Sequence, residues 1–537
     1  MGDLDARIVC STDDEEIASV ARCWGAEVPF MRPANLASDE AKSMDVVTHL
    51  LQSLDKTFDL VALIQPTSPL LEPRDVLSVL ELHVKTEDPV ISVAKDPHPI
   101  AWSHTKDSKG RLSPVLKKDI PHQRQLTDST FAPNGAVYVA PPKVLIQHGS
   151  FFIPGKTRGL ELPAERSLDI DTENDLQLAE ALLANRPIEP IQVGDRTIGP
   201  GHPCYIIAEA GVNHNGDLKL AKRLVDAAVD ASVDAVKFQT FRAEKVVSPK
   251  ARQARYQQQN TGVTESQLDM VKCLQLSDEE HAELFVYCRE RNITFLSTPF
   301  DLESLQFLLD LGVPAIKMGS GELTNHDLLK QVAKPGLPIL LSTGMSHMHE
   351  VDEAIASISQ TSSTSSLALL HCVSNYPSPA EDSNLAAVDT LRRAYGVPCG
   401  WSDHTMGIDV AIAAVARGSS IIEKHFTLDR TLPGPDHKAS LEPKELRQLA
   451  ASIRAVESAI GDGVKRPVEN EKDTAQVARR SLHATRDLPA GTKLSASDLI
   501  ALRPGTGIPV KDKVRLIGKS LQRHVSKGEM LEEKDFE

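Results

Sequence analysis

Two short apolar runs in this chain each end on a histidine: Trp401-Ser402-Asp403-His404-Thr405 and Glu423-Lys424-His425-Phe426-Thr427. An imidazole pair can hold a divalent cation once tertiary structure brings the rings together. Neighbouring strand ends of a parallel sheet do that. Taken singly, each histidine is more readily read as a buried ring bonded to a backbone carbonyl. Other apolar runs also close on reactive side chains. Lys237 and Lys317 occur with the hydroxyls of Ser320, Ser342 and Ser402, a set suited to a small phosphate or carboxylate. Glu209 adds a carboxylate able to move a proton. A cation, two ammonium groups and a carboxylate in one site would activate a carbonyl for carbon–carbon bond formation.

Eight such runs follow one another at 205–208, 235–238, 294–296, 315–318, 338–341, 367–370, 397–400 and 421–423. Helical stretches at 218–231, 278–291 and 303–311 separate several of them. Eight strand–helix units predict an α/β chain built on a (β/α)8 TIM barrel, since a doubly wound sheet rarely needs so many. All eight runs place polar residues at their C-terminal ends, the face on which barrel active sites lie. Strand 1 leads into Glu209-Ala210-Gly211-Val212-Asn213-His214-Asn215-Gly216, strand 2 into Lys237-Phe238-Gln239-Thr240 and strand 3 into Ser297-Thr298-Pro299-Phe300. Strand 4 leads into Lys317-Met318-Gly319-Ser320-Gly321-Glu322, strand 5 into Ser342-Thr343-Gly344-Met345 and strand 6 into His371-Cys372-Val373-Ser374-Asn375-Tyr376-Pro377.

With Pro433-Gly434-Pro435-Asp436, these motifs resemble the sialic acid synthases, from about residue 201 to the C-terminus. The resemblance implies condensation of phosphoenolpyruvate with N-acetylmannosamine or its 6-phosphate, giving N-acetylneuraminate or its 9-phosphate and phosphate. It implies that His404 and His425 hold Mn2+ or Mg2+. Lys237, Lys317, Thr298, Ser320, Ser342, Ser374 and Ser402 would hold phosphate and carboxylate; some relatives carry Asn at the place of Ser374. Glu209, Gln239, Glu322, Tyr376 and Asp436 would meet the sugar, with Glu209 moving the proton. His214 and His371 match the pattern but are read as structural. A synthase for a legionaminic- or pseudaminic-type acid is the alternative within the family, and a non-catalytic sugar-binding or scaffold protein the alternative outside it.

Two further domains flank the barrel. Residues 1–187 alternate strand candidates at 7–11, 60–65, 89–94, 136–139 and 169–171 with helices at 14–24 and 41–54, predicting a mostly parallel sheet in which 60–65 is buried. Ser11-Thr12-Asp13-Asp14, Arg32-Pro33-Ala34-Asn35, Gln65-Pro66-Thr67-Ser68, Pro133-Asn134-Gly135 and Asp169-Ile170-Asp171 resemble, in order, the cytidylyltransferases that make CMP-sialic acid. By that resemblance Gln65, Ser68 and Asn134 belong to a nucleotide site and Asp169 and Asp171 hold Mg2+. Two carboxylates at i and i+2 on a strand would point to one side and suit such a cation. The family's basic, glycine-containing phosphate loop has no counterpart before Asp13, and Ala132 stands where the family usually carries Arg, although Arg124 remains nearby. This domain is therefore expected to be a remnant with little or no transferase activity; an enzyme that also makes the CMP-sugar is the alternative. Residues 188–191 read as a linker, the barrel as 197–462, and 478–537 as a small β-rich domain resembling the antifreeze-like (SAF) domain that ends these synthases. There Arg503 matches an arginine that reaches substrate in the partner subunit, implying a homodimer with shared sites.

The net charge of −15 argues against nucleic acid as the main partner. Scattered cysteines without metal-type spacing, no signal-peptide core and no run able to span a bilayer predict a soluble, cytoplasmic protein.

Overall fold

The computed structural model describes residues 6–536 apart from 39, 97, 99, 117–128, 252–265, 360 and 362–365. It divides into two units, 1–459 and 460–537, each described by itself.

The first unit opens with helices Glu15–Cys23 and Ser43–Ser53 and strands β1 (Val61–Ile64), β2 (Val90–Lys95), β3 (His104–Lys106), β4 (Leu112–Pro114), β5 (Phe131–Ala140) and β6 (Arg158–Glu161). Asp14 starts the first helix by accepting from the backbone N–H groups of Glu16 and Ile17. One sheet has the order β1-β5-β2-β6, and β3 pairs with β4 apart from it. β5 runs antiparallel to both neighbours and only β2 and β6 are parallel, so the expected mostly parallel sheet is corrected. Hydrophobic alternation marks a strand but carries no direction, which the connections decide. β1 is not buried either: it lies at a sheet edge and only its Val61–Leu63 face packs on the helix 43–53, leaving Ile64 49% exposed. Residues 7–11 make a single bridge, Val9 with Glu27, rather than a strand. Residues 169–171 form no strand; Ile170 N–H instead bonds the Thr67 carbonyl at 2.9 Å, hooking this segment onto the 65–68 loop. Arg124 lies outside the described residues.

The expected linker leads at once into a hairpin, β7 (Ile191–Val193) and β8 (Arg196–Ile198). Ile191, Val193 and Ile198 are buried against Tyr205, Ile207, Leu296, Leu340 and Ile421, filling the floor of the barrel. Of the polar residues that suggested a linker, Gln192 and Thr197 are the outward-facing half of this alternation and Gly194-Asp195 make the turn.

Eight strands follow: β9 (Tyr205–Gly211), β10 (Ala235–Thr240), β11 (Thr294–Pro299), β12 (Ile316–Met318), β13 (Ile339–Ser342), β14 (Leu367–Cys372), β15 (Cys399–Asp403) and β16 (Ile421–His425). Their order, β11-β10-β9-β16-β15-β14-β13-β12, with every ladder parallel, is the near-closed TIM barrel expected. The helices show why these sequences wrap it. Helix Leu218–Asp230 is capped by Asp217 and buries Ala221, Leu224, Val225 and Ala228, one stripe at helical spacing. Helix Leu302–Leu311 starts on Asp301 and stops at Gly312, whose φ of 82° suits glycine. No helix among the described residues is long and apolar enough to cross a membrane.

The second unit is a small β-rich body around Leu482, Leu488, Leu499, Ile508, Leu521 and Val525, with β17 (Ser481–Ala484) antiparallel to β18 (Leu499–Leu502). Arg503 follows β18 and is exposed.

Candidate active site

The period of two along a strand builds the site. The interior side of the barrel reads Tyr205-Ile207-Glu209 on β9, Ala235-Lys237-Gln239 on β10 and Leu296-Thr298 on β11, apolar at the floor and polar above. The pattern repeats as Leu340-Ser342 on β13, Ala368-Leu370-Cys372 on β14 and Ile421-Glu423-His425 on β16. The alternate residues Val236, Phe238, Ile316, Met318, Trp401 and Ile422 face the helices.

Above the floor lies a buried charge cluster. Lys237 Nζ is 2.8 Å from Glu209 Oε2 and 3.6 Å from Glu423 Oε2, and donates to Thr298 Oγ1 at 3.2 Å. Lys317 Nζ is 3.7 Å from Glu423 Oε1 and donates to Ser342 Oγ at 2.6 Å. The Ser402 hydroxyl donates to Glu423 Oε1 at 2.8 Å, and Gln239 Nε2 to Glu209 Oε1 at 3.2 Å. Burial pushes the Glu209 carboxyl up to about 7, against the pull of Lys237. Burial opposes ionisation of Glu423 too, but Lys237, Lys317 and the Ser402 hydroxyl together hold it at about 2. Burial lowers Lys317, whereas Glu209 and Glu423 outweigh burial and raise Lys237. The two carboxylates share Lys237, but only Glu423 also has Lys317 beside it, and this difference in proton affinity separates a group able to exchange a proton near neutrality from a fixed anion.

His404 and His425 come together, ring centres 5.5 Å apart. The Tyr376 ring lies 4.0 Å from His404 and 5.5 Å from His425, centre to centre. His404 Nδ1 is 2.6 Å from the Val373 carbonyl, which places the proton on Nδ1 and leaves Nε2 with its lone pair. The buried Nδ1 of His425 has no hydrogen-bond partner among the described residues. Burial lowers His404 to about 4 and His425 well below its ordinary value, so both rings are neutral at pH 7. Neutral imidazoles, one oriented by a carbonyl and one with an unused buried nitrogen, fit a divalent ion. No group of three or more His, Cys, Asp or Glu side chains poised for a metal occurs among the described residues. A cavity of about 230 Å3 opens beside the pair, lined by Gln239, Tyr376, His425 and Asp436, whose carboxyl burial pushes up to about 6.

Ser320, Ser374 and Cys372 converge on Gly344: a Cβ there would stand 2.9, 2.5 and 2.7 Å from their Oγ, Oγ and Sγ atoms. Ser320 Oγ accepts from Gly344 N–H at 2.9 Å and meets Cys372 Sγ at 3.1 Å. Glu322 lies at the edge, half-buried and bonded to Asn325 Nδ2 at 2.8 Å. Arg503 belongs to the other unit. His214 accepts from Gly216 N–H, and His371 Nε2 bonds the Ser383 carbonyl at 3.0 Å, both local structural bonds. Sequence reasoning left Glu423 and Cys372 without a role. The signal for Glu423 was its place two residues before His425, hence on the same side of the strand.

In the N-terminal region Asp169 Oδ2 and Gln65 Oε1 stand 2.9 and 3.2 Å from where a Cβ of Gly135 would project, so Gln65, Gly135 and Asp169 meet. Asn134 Oδ1 accepts from Ser92 Oγ at 2.6 Å, the buried Ser68 hydroxyl has no hydrogen-bond partner among the described residues, and Asp171 is exposed. Asp169 and Asp171 therefore do not share the face of a strand as expected, because no strand forms there.

A model of the NeuB family matches residues 224–465, an SAF domain model 479–537 and a cytidylyltransferase model 3–111. The chain is 46% identical to N,N'-diacetyllegionaminic acid synthase of Legionella pneumophila, over 63% of this chain and 96% of that protein. It is 34% identical to N-acetylneuraminate-9-phosphate synthase of Mus musculus, over 65% of this chain and 98% of that protein. Among solved structures, spore coat polysaccharide biosynthesis protein E from Chromobacterium violaceum shares the fold with a TM-score of 0.50 at 23% identity, over 62% of this chain and 99% of that one.

Proposed function

Because the chain belongs to the NeuB family, we propose that its barrel joins phosphoenolpyruvate to an N-acetylated aminosugar, N-acetylmannosamine or its 6-phosphate, giving N-acetylneuraminate or its 9-phosphate and phosphate. The observation that carries this is the pairing of Lys237 and Lys317 around Glu423 directly beside the two-histidine site. Lys237, Lys317 and the hydroxyls of Thr298, Ser320, Ser342, Ser374 and Ser402 hold the phosphate and carboxylate through charge-assisted bonds. His404 and His425 would hold Mn2+ or Mg2+, whose contribution is to polarise the aldehyde of the open-chain sugar. Gln239, Glu322, Tyr376 and Asp436 orient the sugar so that its aldehyde carbon faces C3 of phosphoenolpyruvate. The new carbon–carbon bond forms there, water adds at C2, and phosphate leaves with cleavage of its C–O bond. Glu209, held near 7, exchanges the proton. Arg503 completes the site in the partner subunit of a homodimer.

A second reading concerns the sugar alone. The greater identity to a diacetyllegionaminic acid synthase favours an N-acetylated diamino sugar as the aldehyde. Phosphate release from phosphoenolpyruvate, with and without Mn2+, tests both: release with N-acetylmannosamine or its 6-phosphate supports the first and release with a diacetamido sugar the second. No product with any of them, or with mannose, would sink the synthase reading.

A further inference from the structure

Each metal-site histidine is preceded by a charged residue that turns away from the barrel interior: Asp403 before His404 and Lys424 before His425. The two stand opposite each other in register, their charged groups 2.8 Å apart and their side chains 0% and 1% exposed. Two charges at such depth cost desolvation that an apolar pair of similar volume would avoid, so stability alone does not account for them.

Their partners point to a different task. Asp403 Oδ1 accepts both the N–H and the hydroxyl of Thr405, at 2.9 and 2.8 Å. Lys424 Nζ donates to the Thr405 carbonyl as well as to Asp403. The residues on both sides of His404 are therefore tied to the residue before His425. The backbone ladder between β15 and β16 also ends at this pair. Beyond it the His404 carbonyl bonds Ser378 N–H at 2.8 Å, so no described β15–β16 ladder rung holds His404 to the strand that bears His425. The side-chain clamp takes over where the ladder stops.

We propose that Asp403, Lys424 and Thr405 are positioning residues that set the distance and angle between His404 and His425, and hence the affinity of the site for a divalent cation. This rests on the reading of the two histidines as a cation site. Asp403 and Lys424 are spent on each other away from the barrel interior, so they act through the histidines they flank.

The test measures Mn2+ binding to the full chain by the electron paramagnetic resonance of free Mn2+. D403L/K424M replaces both charges by apolar groups, which a buried pair commonly tolerates. We expect a folded chain whose Mn2+ dissociation constant rises tenfold or more, the range for residues that orient metal ligands. If that variant fails to fold, T405V, which keeps both charges and nearly the same side-chain shape but removes the Thr405 hydroxyl bond to Asp403, is read by the same criterion. A folded double variant that binds Mn2+ within about twofold of the parent overturns the positioning role while leaving the cation site standing. A parent chain that binds no Mn2+ overturns the cation reading, and this inference with it.

Discussion

Gly344→Ala tests the anion cradle at its tightest point. A Cβ at this position meets Ser374 Oγ at 2.5 Å, Cys372 Sγ at 2.7 Å and Ser320 Oγ at 2.9 Å, all inside van der Waals contact. Favourable separations are roughly 3.5–4.0 Å, so each group must retreat by about 0.5–1 Å. Gly344 is not among the glycines with positive φ, so its backbone accepts alanine and the strain falls on the side chains. Overpacking of this kind costs about 1–3 kcal/mol, which leaves the barrel folded. The loss should fall on function, because two hydroxyls assigned to the phosphate move by about an ångström, and a misplacement of that size costs about 100-fold. We expect kcat/KM for phosphoenolpyruvate to drop by that order, with the KM for sugar little changed and the far-ultraviolet circular dichroism preserved. The assay is phosphate release with phosphoenolpyruvate varied at fixed sugar. A folded variant whose kcat/KM for phosphoenolpyruvate stays within about threefold of the parent would refute the assignment of Ser320 and Ser374.

Four further outcomes follow from the same geometry. His404→Ala should abolish metal-dependent phosphate release in a folded chain; retained turnover would show the histidine pair misassigned. His404 binds a proton more weakly folded, at about 4, than unfolded, at about 6.5, so its stabilisation is present above 6.5 and is lost as pH falls towards 4, roughly 2 kcal/mol of it by pH 5. Urea unfolding at pH 7 and 5 in a chelator should show that loss shrink in His404→Gln, and an equal loss in both proteins would contradict it. Ile198→Ala, at the fully buried end of the floor hairpin, should destabilise the barrel by about 2–5 kcal/mol in denaturant, and a cost under about 1 kcal/mol would mean the hairpin is no part of its core. With CTP, Mg2+ and the sugar acid, the chain should release no pyrophosphate at an enzyme-like rate, the outcome expected of a remnant domain with Ala132 where the resemblance implies an arginine; such release would establish the bifunctional alternative.

Much of the barrel and its rim was legible in the residues. Eight apolar runs ending on polar side chains became eight parallel strands with those ends gathered on one face, because the period of two puts Lys237, Glu423 and His425 on the interior side of their strands whatever the loops do. The N-terminal sheet was less legible. Strand candidates at 60–65, 89–94 and 136–139 formed, but their directions and the exposure of Ile64 depend on connections and neighbours that no local pattern records. The floor hairpin is hidden for a similar reason: Ile191, Val193 and Ile198 lie in a polar stretch and become core only when a barrel closes over them.

The sequence by itself determined the repeating units, the residue types at each strand end and the set of side chains able to bind an anion and a cation, because these follow from local periodicity. Only the tertiary structure decided which of them meet. It put Glu423 between two lysines brought from strands far apart in the chain, drove the proton affinities of Glu209 and Glu423 apart through burial and charge, and locked Asp403 to Lys424 where a ladder ends. Those effects depend on distances of a few ångströms and on exclusion of water, and neither exists until the strands have packed.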